Sequence, residues 1–211
     1  MLLGKNLPNV LTVSRIFAVL IFVAIASVAH TNFIADKEVV QIIRFIAVGL
    51  ALLAGLTDLL DGYLARKYHW TSDFGALMDP LADKIFVTGT MLMAVEYRLI
   101  PAWIAIMVLF REFMVTGLRT LAAKNQVVIA ADRWGKLKTA LQMTMLGIAG
   151  IAWAIDGGTT YLREATPFAC ALFPGGIRIW FIWFAFMVGI VLVTLFSGLG
   201  YFIRYHKMLK N

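Results

Sequence analysis

Residues 57–84 read TDLLDGYLARKYHWTSDFGALMDPLADK. The stretch lies between two charge-free runs, 45–57 and 85–95, of 13 and 11 residues. A helix needs about 20 residues to cross the hydrocarbon core of a bilayer. Neither run is long enough unless the aspartates beside it also lie within the membrane. A charge inside a span is costly and generally faces a cavity or a partner. The stretch therefore reads as the ends of two membrane helices joined by a short polar turn near residues 68–72. Asp58 and Asp61 are three apart and Asp79 and Asp83 are four apart, so about 60° and about 40° separate them around a helix. Each pair occupies one face.

The rest of the chain supports a membrane setting. Of 211 residues, 61% are hydrophobic and 15% are charged, against roughly 45–50% and 25% in soluble domains. So much apolar surface excludes a water-soluble enzyme, a disordered chain and a secreted disulfide scaffold. The single Cys170 permits neither an internal disulfide nor a cysteine metal cluster. Further charge-free runs span 16–35, 99–110, 139–155 and 179–203. Together they predict an all-α integral membrane protein, a single domain over 1–211, with six helices at about 11–30, 40–66, 74–96, 101–123, 136–156 and 177–204. The first run reads as a retained helix rather than a cleaved signal. Under this reading 14 of the 19 basic residues fall on one side. The excess of Lys and Arg marks the cytoplasmic side, which then holds both termini and the loops at 66–73 and 124–135. The net charge of +7 suits anionic lipid and an anionic substrate, and no nucleic-acid partner is expected.

Four carboxylates brought together in a low dielectric repel one another strongly and stay ionised only if cations neutralise them. Oxygen ligands with no His or Cys among them select Mg²⁺ or Mn²⁺ over Zn²⁺. Gly62 and Gly75 leave gaps where another group can approach the backbone. Arg66, a fixed cation just beyond Asp61, suits a phosphate. Together these residues describe a metal-assisted site for a phosphoanhydride. The plainer alternative is a set of structural ion pairs, Asp58 or Asp61 with Arg66 and Asp79 or Asp83 with Lys84. Four aspartates in one hairpin favour the metal site.

The spacing Asp58-x2-Asp61-Gly62-x2-Ala65-Arg66-x8-Gly75-x3-Asp79-x3-Asp83 resembles the signature of the CDP-alcohol phosphatidyltransferase family at every fixed position. Three further blocks resemble the bacterial members that make phosphatidylglycerophosphate: residues 6–15 (NLPNVLTVSR), Arg111-Glu112-Phe113 through Thr116-Gly117-Leu118-Arg119, and residues 135–140 (GKLKTA). The resemblance covers residues 6–142 and leaves the last third to hydrophobicity alone. It implies six membrane helices around a cytoplasm-facing polar cavity, usually a homodimer, in the bacterial cytoplasmic membrane. It implies two divalent metals held by Asp58, Asp61, Asp79 and Asp83, with Asp83 as ligand or as catalytic base. Asn9, Thr12, Gly62, Arg66, Ser72 and Gly75 would hold the CDP-diacylglycerol.

Arg111, Arg119, Lys136 and Lys138 lie at the expected cytoplasmic ends of helices four and five. A phosphate-bearing acceptor needs such cations and a neutral alcohol does not, so they are expected to bind the phosphate of sn-glycerol 3-phosphate. The reaction implied is transfer of a phosphatidyl group from CDP-diacylglycerol to that acceptor, giving phosphatidylglycerophosphate and CMP. Rival readings keep the fold and change the acceptor to inositol phosphate, serine or phosphatidylglycerol. Others replace the activity with a Mg²⁺-dependent membrane prenyltransferase or a cation transporter. Those two account for the aspartates but not for the Gly- and Arg-punctuated hairpin.

Overall fold

The computed structural model describes residues 2–29, 34, 36–68, 73–124, 133–157 and 177–205. Residues 2–11, 58–68, 73–77, 79, 124, 133, 156, 177–180 and 204–205 are described by backbone position. The described residues form six helices and no strand: α1 Leu2–Val28, α2 Lys37–Tyr68, α3 Asp73–Glu96, α4 Ala102–Lys124, α5 Arg133–Asp156 and α6 Ile177–Tyr205. The predicted helices are all present, with shifted ends. α1 begins well before residue 11 and includes Pro8. A proline there leaves a single upstream carbonyl without its helical donor. Asn9 and Thr12 therefore stand on α1 itself rather than on a segment leading into it.

Among the described residues, three helical stretches are long and apolar enough to cross a membrane: Lys37–Thr57, Trp134–Ile155 and Phe181–Ile203. At 1.5 Å per residue each spans about 32–35 Å, enough for a hydrocarbon core of about 30 Å. Thr12–Val28 is a shorter apolar stretch within α1. The α2 stretch also takes in Val39, Val40, Ile42 and Ile43, upstream of the charge-free run at 45–57. Large apolar side chains such as Phe17, Ile106, Phe181 and Ile203 are more than half exposed. Apolar surface on that scale suits a lipid environment.

Local chemistry sets the helix ends. Asp36 caps α2: its Oδ1 accepts from the Glu38 amide at 2.9 Å and its carbonyl from the Val40 amide at 3.1 Å. This is the expected role of an Asp at an N-cap. The turn into α4 runs through Arg98 at φ 56° and reaches Pro101, whose carbonyl accepts from Ile104. α5 ends at Gly157, whose amide donates to the Trp153 carbonyl at 2.8 Å with φ 83°. Glycine is the residue that adopts this left-handed closure without strain.

The chain divides into two compact units, Met1–Tyr97 with Gly150–Gly158, and Arg98–Ala149 with Thr159–Asn211. In the first, α1 packs on both α2 and α3. Its core includes Val19 and Ala26 of α1, Val40 and Ala47 of α2, and Ala82 and Met91 of α3. Tyr97 and Trp153 stack with centroids 4.6 Å apart, and the Tyr97 hydroxyl donates to the Ala26 carbonyl. Burial pushes that phenol above its usual range, against the opposing pull of Arg44, so it stays a donor. In the second unit α4 packs on α6, around Ile104, Val108, Met145, Met187 and Ile190.

Candidate active site

The signature aspartates occupy the two helix ends expected of them. Asp58, Asp61, Gly62 and Arg66 lie on the last turns of α2, and Gly75, Asp79 and Asp83 on the first turns of α3. Ser72 falls outside the described residues, and the side chains of Asn9, Asp58, Asp61, Arg66 and Asp79 are outside the described set. Pro80 stands inside α3 between the last two aspartates. Its missing N–H releases one backbone carbonyl in the preceding turn. The Asp83 carboxylate is 45% exposed, with the Lys84 ammonium 3.7 Å away. At that separation the pair is loose, and the carboxylate keeps lone pairs for another cation.

The donor chemistry suits Mg²⁺ or Mn²⁺. The four signature residues offer carboxylate oxygens only, and Asp83 presents its oxygens to an accessible space. α1, which packs on both aspartate-bearing helices, buries Thr12 at 3% and Arg15 at 5% exposure. Arg15 stands out only in the structure. In the sequence it counts merely as a basic residue near a helix start, although its spacing of three from Thr12 places both on one face.

The second unit gathers most of the predicted acceptor-binding cations into one cluster. Arg111 is 6% exposed and its Nη2 donates to Ser197 Oγ of α6 at 2.7 Å. Its Nη1 lies 3.9 Å from Glu112 Oε1. Lys138, 1% exposed, forms an ion pair with the same Glu112 oxygen. Arg119 Nη2 donates to the Tyr201 hydroxyl at 3.0 Å. Both guanidiniums also lie over the Tyr201 ring, 5.8 and 5.5 Å from its centroid. Lys136 stands apart from this arrangement and is exposed. α6 approaches closely because residue 198 is glycine: a Cβ there would lie 3.1 Å from Arg111 Cγ and 3.3 Å from Met114 Cε.

Glu112, Ser197 and Tyr201 belong to this cluster, and sequence reasoning did not select them. Glu112 signalled itself as an acid beside Arg111 in an apolar helix. Ser197 and Tyr201 gave only a weak sign, polar groups four apart in a strongly apolar helix. Three cationic side chains against one carboxylate leave a net of two positive charges. A phosphate monoester carries between one and a half and two negative charges near neutral pH, so the cluster can match it.

Comparison with known proteins identifies the family. The family model of CDP-alcohol phosphatidyltransferases matches residues 5–191. A CDP-diacylglycerol–glycerol-3-phosphate 3-phosphatidyltransferase of Bacillus subtilis is 33% identical over 210 residues, covering 98% of each chain. Proteins of the same name from Rickettsia prowazekii and Haemophilus influenzae are 36% and 37% identical, over 77% and 70% of this chain and 83% and 76% of their own. The signature hairpin, the matched span and this likeness along nearly the whole length place the chain in the CDP-alcohol phosphatidyltransferase family.

Proposed function

We propose that the protein transfers a phosphatidyl group from CDP-diacylglycerol to sn-glycerol 3-phosphate, releasing CMP and forming phosphatidylglycerophosphate. The observation that carries the choice of acceptor is the cation cluster of Arg111 and Lys138, both buried, with the exposed Arg119. A neutral alcohol would leave those charges uncompensated. The names of the similar proteins point to the same substrates.

The chain's own groups divide the work. Arg66, Gly62, Gly75 and Ser72, with Asn9 and Thr12 of α1, hold the cytidine diphosphate of the donor. Asp58, Asp61, Asp79 and Asp83 would hold two Mg²⁺ or Mn²⁺ ions, which would supply positive charge against the diphosphate and the leaving oxygen. Asp83 accepts the proton of the acceptor hydroxyl. The freed oxygen forms a bond to the diacylglycerol-linked phosphorus, and the bond from that phosphorus to CMP breaks. A carboxylate is a weak base for an alcohol, so Asp83 acts through position more than through basicity. Arg111, Arg119, Lys136 and Lys138 hold the acceptor phosphate.

The same reading places six spans around a polar cavity open to the cytoplasm, both termini in the cytoplasm, and a homodimer in the bacterial cytoplasmic membrane. A cavity open sideways is required because one substrate is a lipid and the other is water-soluble. The test is incubation of purified protein with CDP-diacylglycerol and a panel of acceptors, identifying the lipid formed. Phosphatidylglycerophosphate should appear with glycerol 3-phosphate, and only with a divalent metal present. A preference for inositol phosphate, serine or phosphatidylglycerol would replace the acceptor and keep the family chemistry.

A further inference from the structure

Two polar side chains in the second unit are buried without partners. Gln142 of α5 is 1% exposed, and neither its Nε2 nor its Oε1 has a hydrogen-bond partner among the described residues. Thr194 of α6 is fully buried, and its Oγ1 is likewise unpartnered. A buried amide with both ends unsatisfied is rare, because its desolvation is uncompensated. Such a group is retained when something else supplies the missing bonds.

Position says what that is. Gln142 lies four residues from Lys138, one turn along the same buried face of α5. Thr194 lies three residues from Ser197, which receives Arg111, on the buried face of α6. Both groups are therefore about one turn, about 4.5–6 Å of helix rise, from the residues that gather the cations. That is the scale of a three-carbon chain. The chemistry also fits a hydroxyl. In either orientation the amide offers one donor and one acceptor, and the threonine hydroxyl offers both.

We propose that Gln142, with Thr194, binds the spectator secondary hydroxyl of the acceptor while the cation cluster binds its phosphate. The inference rests on the acceptor assignment above and deepens it. Gln142 becomes the residue by which the protein distinguishes a glycerol phosphate from an alkanol phosphate. The amide oxygen accepts the proton of the secondary hydroxyl in a hydrogen bond, and the amide nitrogen or the threonine hydroxyl donates to its oxygen. A site built to bond a hydroxyl discriminates strongly against an analogue that lacks it, because its own polar groups are then left unpaired.

The experiment compares sn-glycerol 3-phosphate with 3-hydroxypropyl phosphate, which keeps the phosphate and a primary hydroxyl and lacks the secondary one. The wild-type protein should show a KM for the analogue about 10- to 100-fold higher. In Gln142→Leu the KM for glycerol 3-phosphate should rise until the two acceptors differ by about twofold or less, with the KM for CDP-diacylglycerol unchanged. A merely structural role would lower turnover with both acceptors and preserve their ratio. Thr194→Val, which keeps the side-chain shape, should also narrow the ratio and serves if Gln142→Leu does not fold. Equal use of both acceptors by the wild type, or a wild-type ratio in the variants, overturns the inference. If glycerol 3-phosphate itself is not an acceptor, the acceptor assignment falls and takes this inference with it.

Discussion

The Lys138 ammonium of α5 is paired with the Glu112 carboxylate of α4, and both residues are withdrawn from solvent, at 1% and 8% exposure. Two charges removed from water are tolerated when they face each other, and removing one leaves the other uncompensated. Glu112→Gln should therefore destabilise the protein by about 3–5 kcal/mol, read as a lower unfolding temperature in detergent. The double variant Glu112→Leu with Lys138→Met should recover most of that loss, because an apolar pair of similar volume then replaces the ions. An unchanged unfolding temperature in Glu112→Gln would show that the pair contributes nothing.

The cations of the cluster should not be equivalent. Arg111 is buried and donates to Ser197, and Arg119, although exposed, donates to Tyr201, whereas Lys136 is exposed and bonds to neither. A lost charge-assisted contact costs about 1.5–3 kcal/mol, roughly ten- to a hundredfold in affinity. An exposed ion pair is worth about 1 kcal/mol or less. Arg111→Ala and Arg119→Ala should each raise the KM for glycerol 3-phosphate by the larger factor and Lys136→Ala by less than about tenfold, with the KM for CDP-diacylglycerol little changed. Steady-state kinetics with each substrate varied in turn decides this. If the arginine variants weaken only the liponucleotide, the cluster belongs to the donor.

Much of this was legible in the sequence because membrane helices and fixed-spacing motifs are local signals. The hairpin from Asp58 to Asp83 is a single continuous stretch, so its spacing alone placed the carboxylates on two helix ends. Arg111 and Lys138 were readable as candidates because a charge beside an apolar run needs an explanation. Their partners were not readable. Ser197 and Tyr201 meet the arginines across more than 80 positions of chain, a relation set by packing between α4 and α6. Gln142 looked like an ordinary polar residue until its burial was known. α1 begins upstream of the expected residue 11, because the charge-free run at 16–35 marks only the apolar part of that helix.

The aspartates should separate chemistry from folding. In the proposed reaction each would supply oxygen ligands to a divalent cation, and an amide has the same shape without the charge. Asp61→Asn and Asp79→Asn should reduce turnover to near zero at saturating substrate, while membrane insertion and unfolding temperature stay close to wild type. Chelation of divalent ions should abolish activity, and Mg²⁺ or Mn²⁺ should restore it. Near-normal turnover in either variant would end the two-metal reading.

Topology can be probed through the single native cysteine. In a Cys170→Ala background, cysteines introduced at Lys67 and Lys124 should be protected from an impermeant thiol reagent in intact cells. A cysteine at Gly158 should react. Labelling of position 67 from outside would reverse the orientation drawn from the basic residues.

Gly157 and Gly150 offer a matched pair within α5 and its closing residue. Gly157 has φ 83°, and a Cβ there would lie 2.2 Å from Arg44 Nη1. The left-handed conformation alone costs an L-residue about 1–2 kcal/mol. The clash would also displace a guanidinium whose Nε donates to the Ala29 carbonyl at 3.3 Å and which lies 5.9 Å from the centroid of the Trp153 ring. Gly157→Ala should therefore lower the unfolding temperature. Gly150 lies inside the helix, and a Cβ there would meet Val48 methyls at 3.7 and 3.8 Å, ordinary contact distances. Alanine is favoured over glycine in a helix interior by about 0.5–1 kcal/mol, so Gly150→Ala should leave the unfolding temperature unchanged or raise it. Equal destabilisation by the two substitutions would mean that volume, and not the backbone conformation of residue 157, sets the cost.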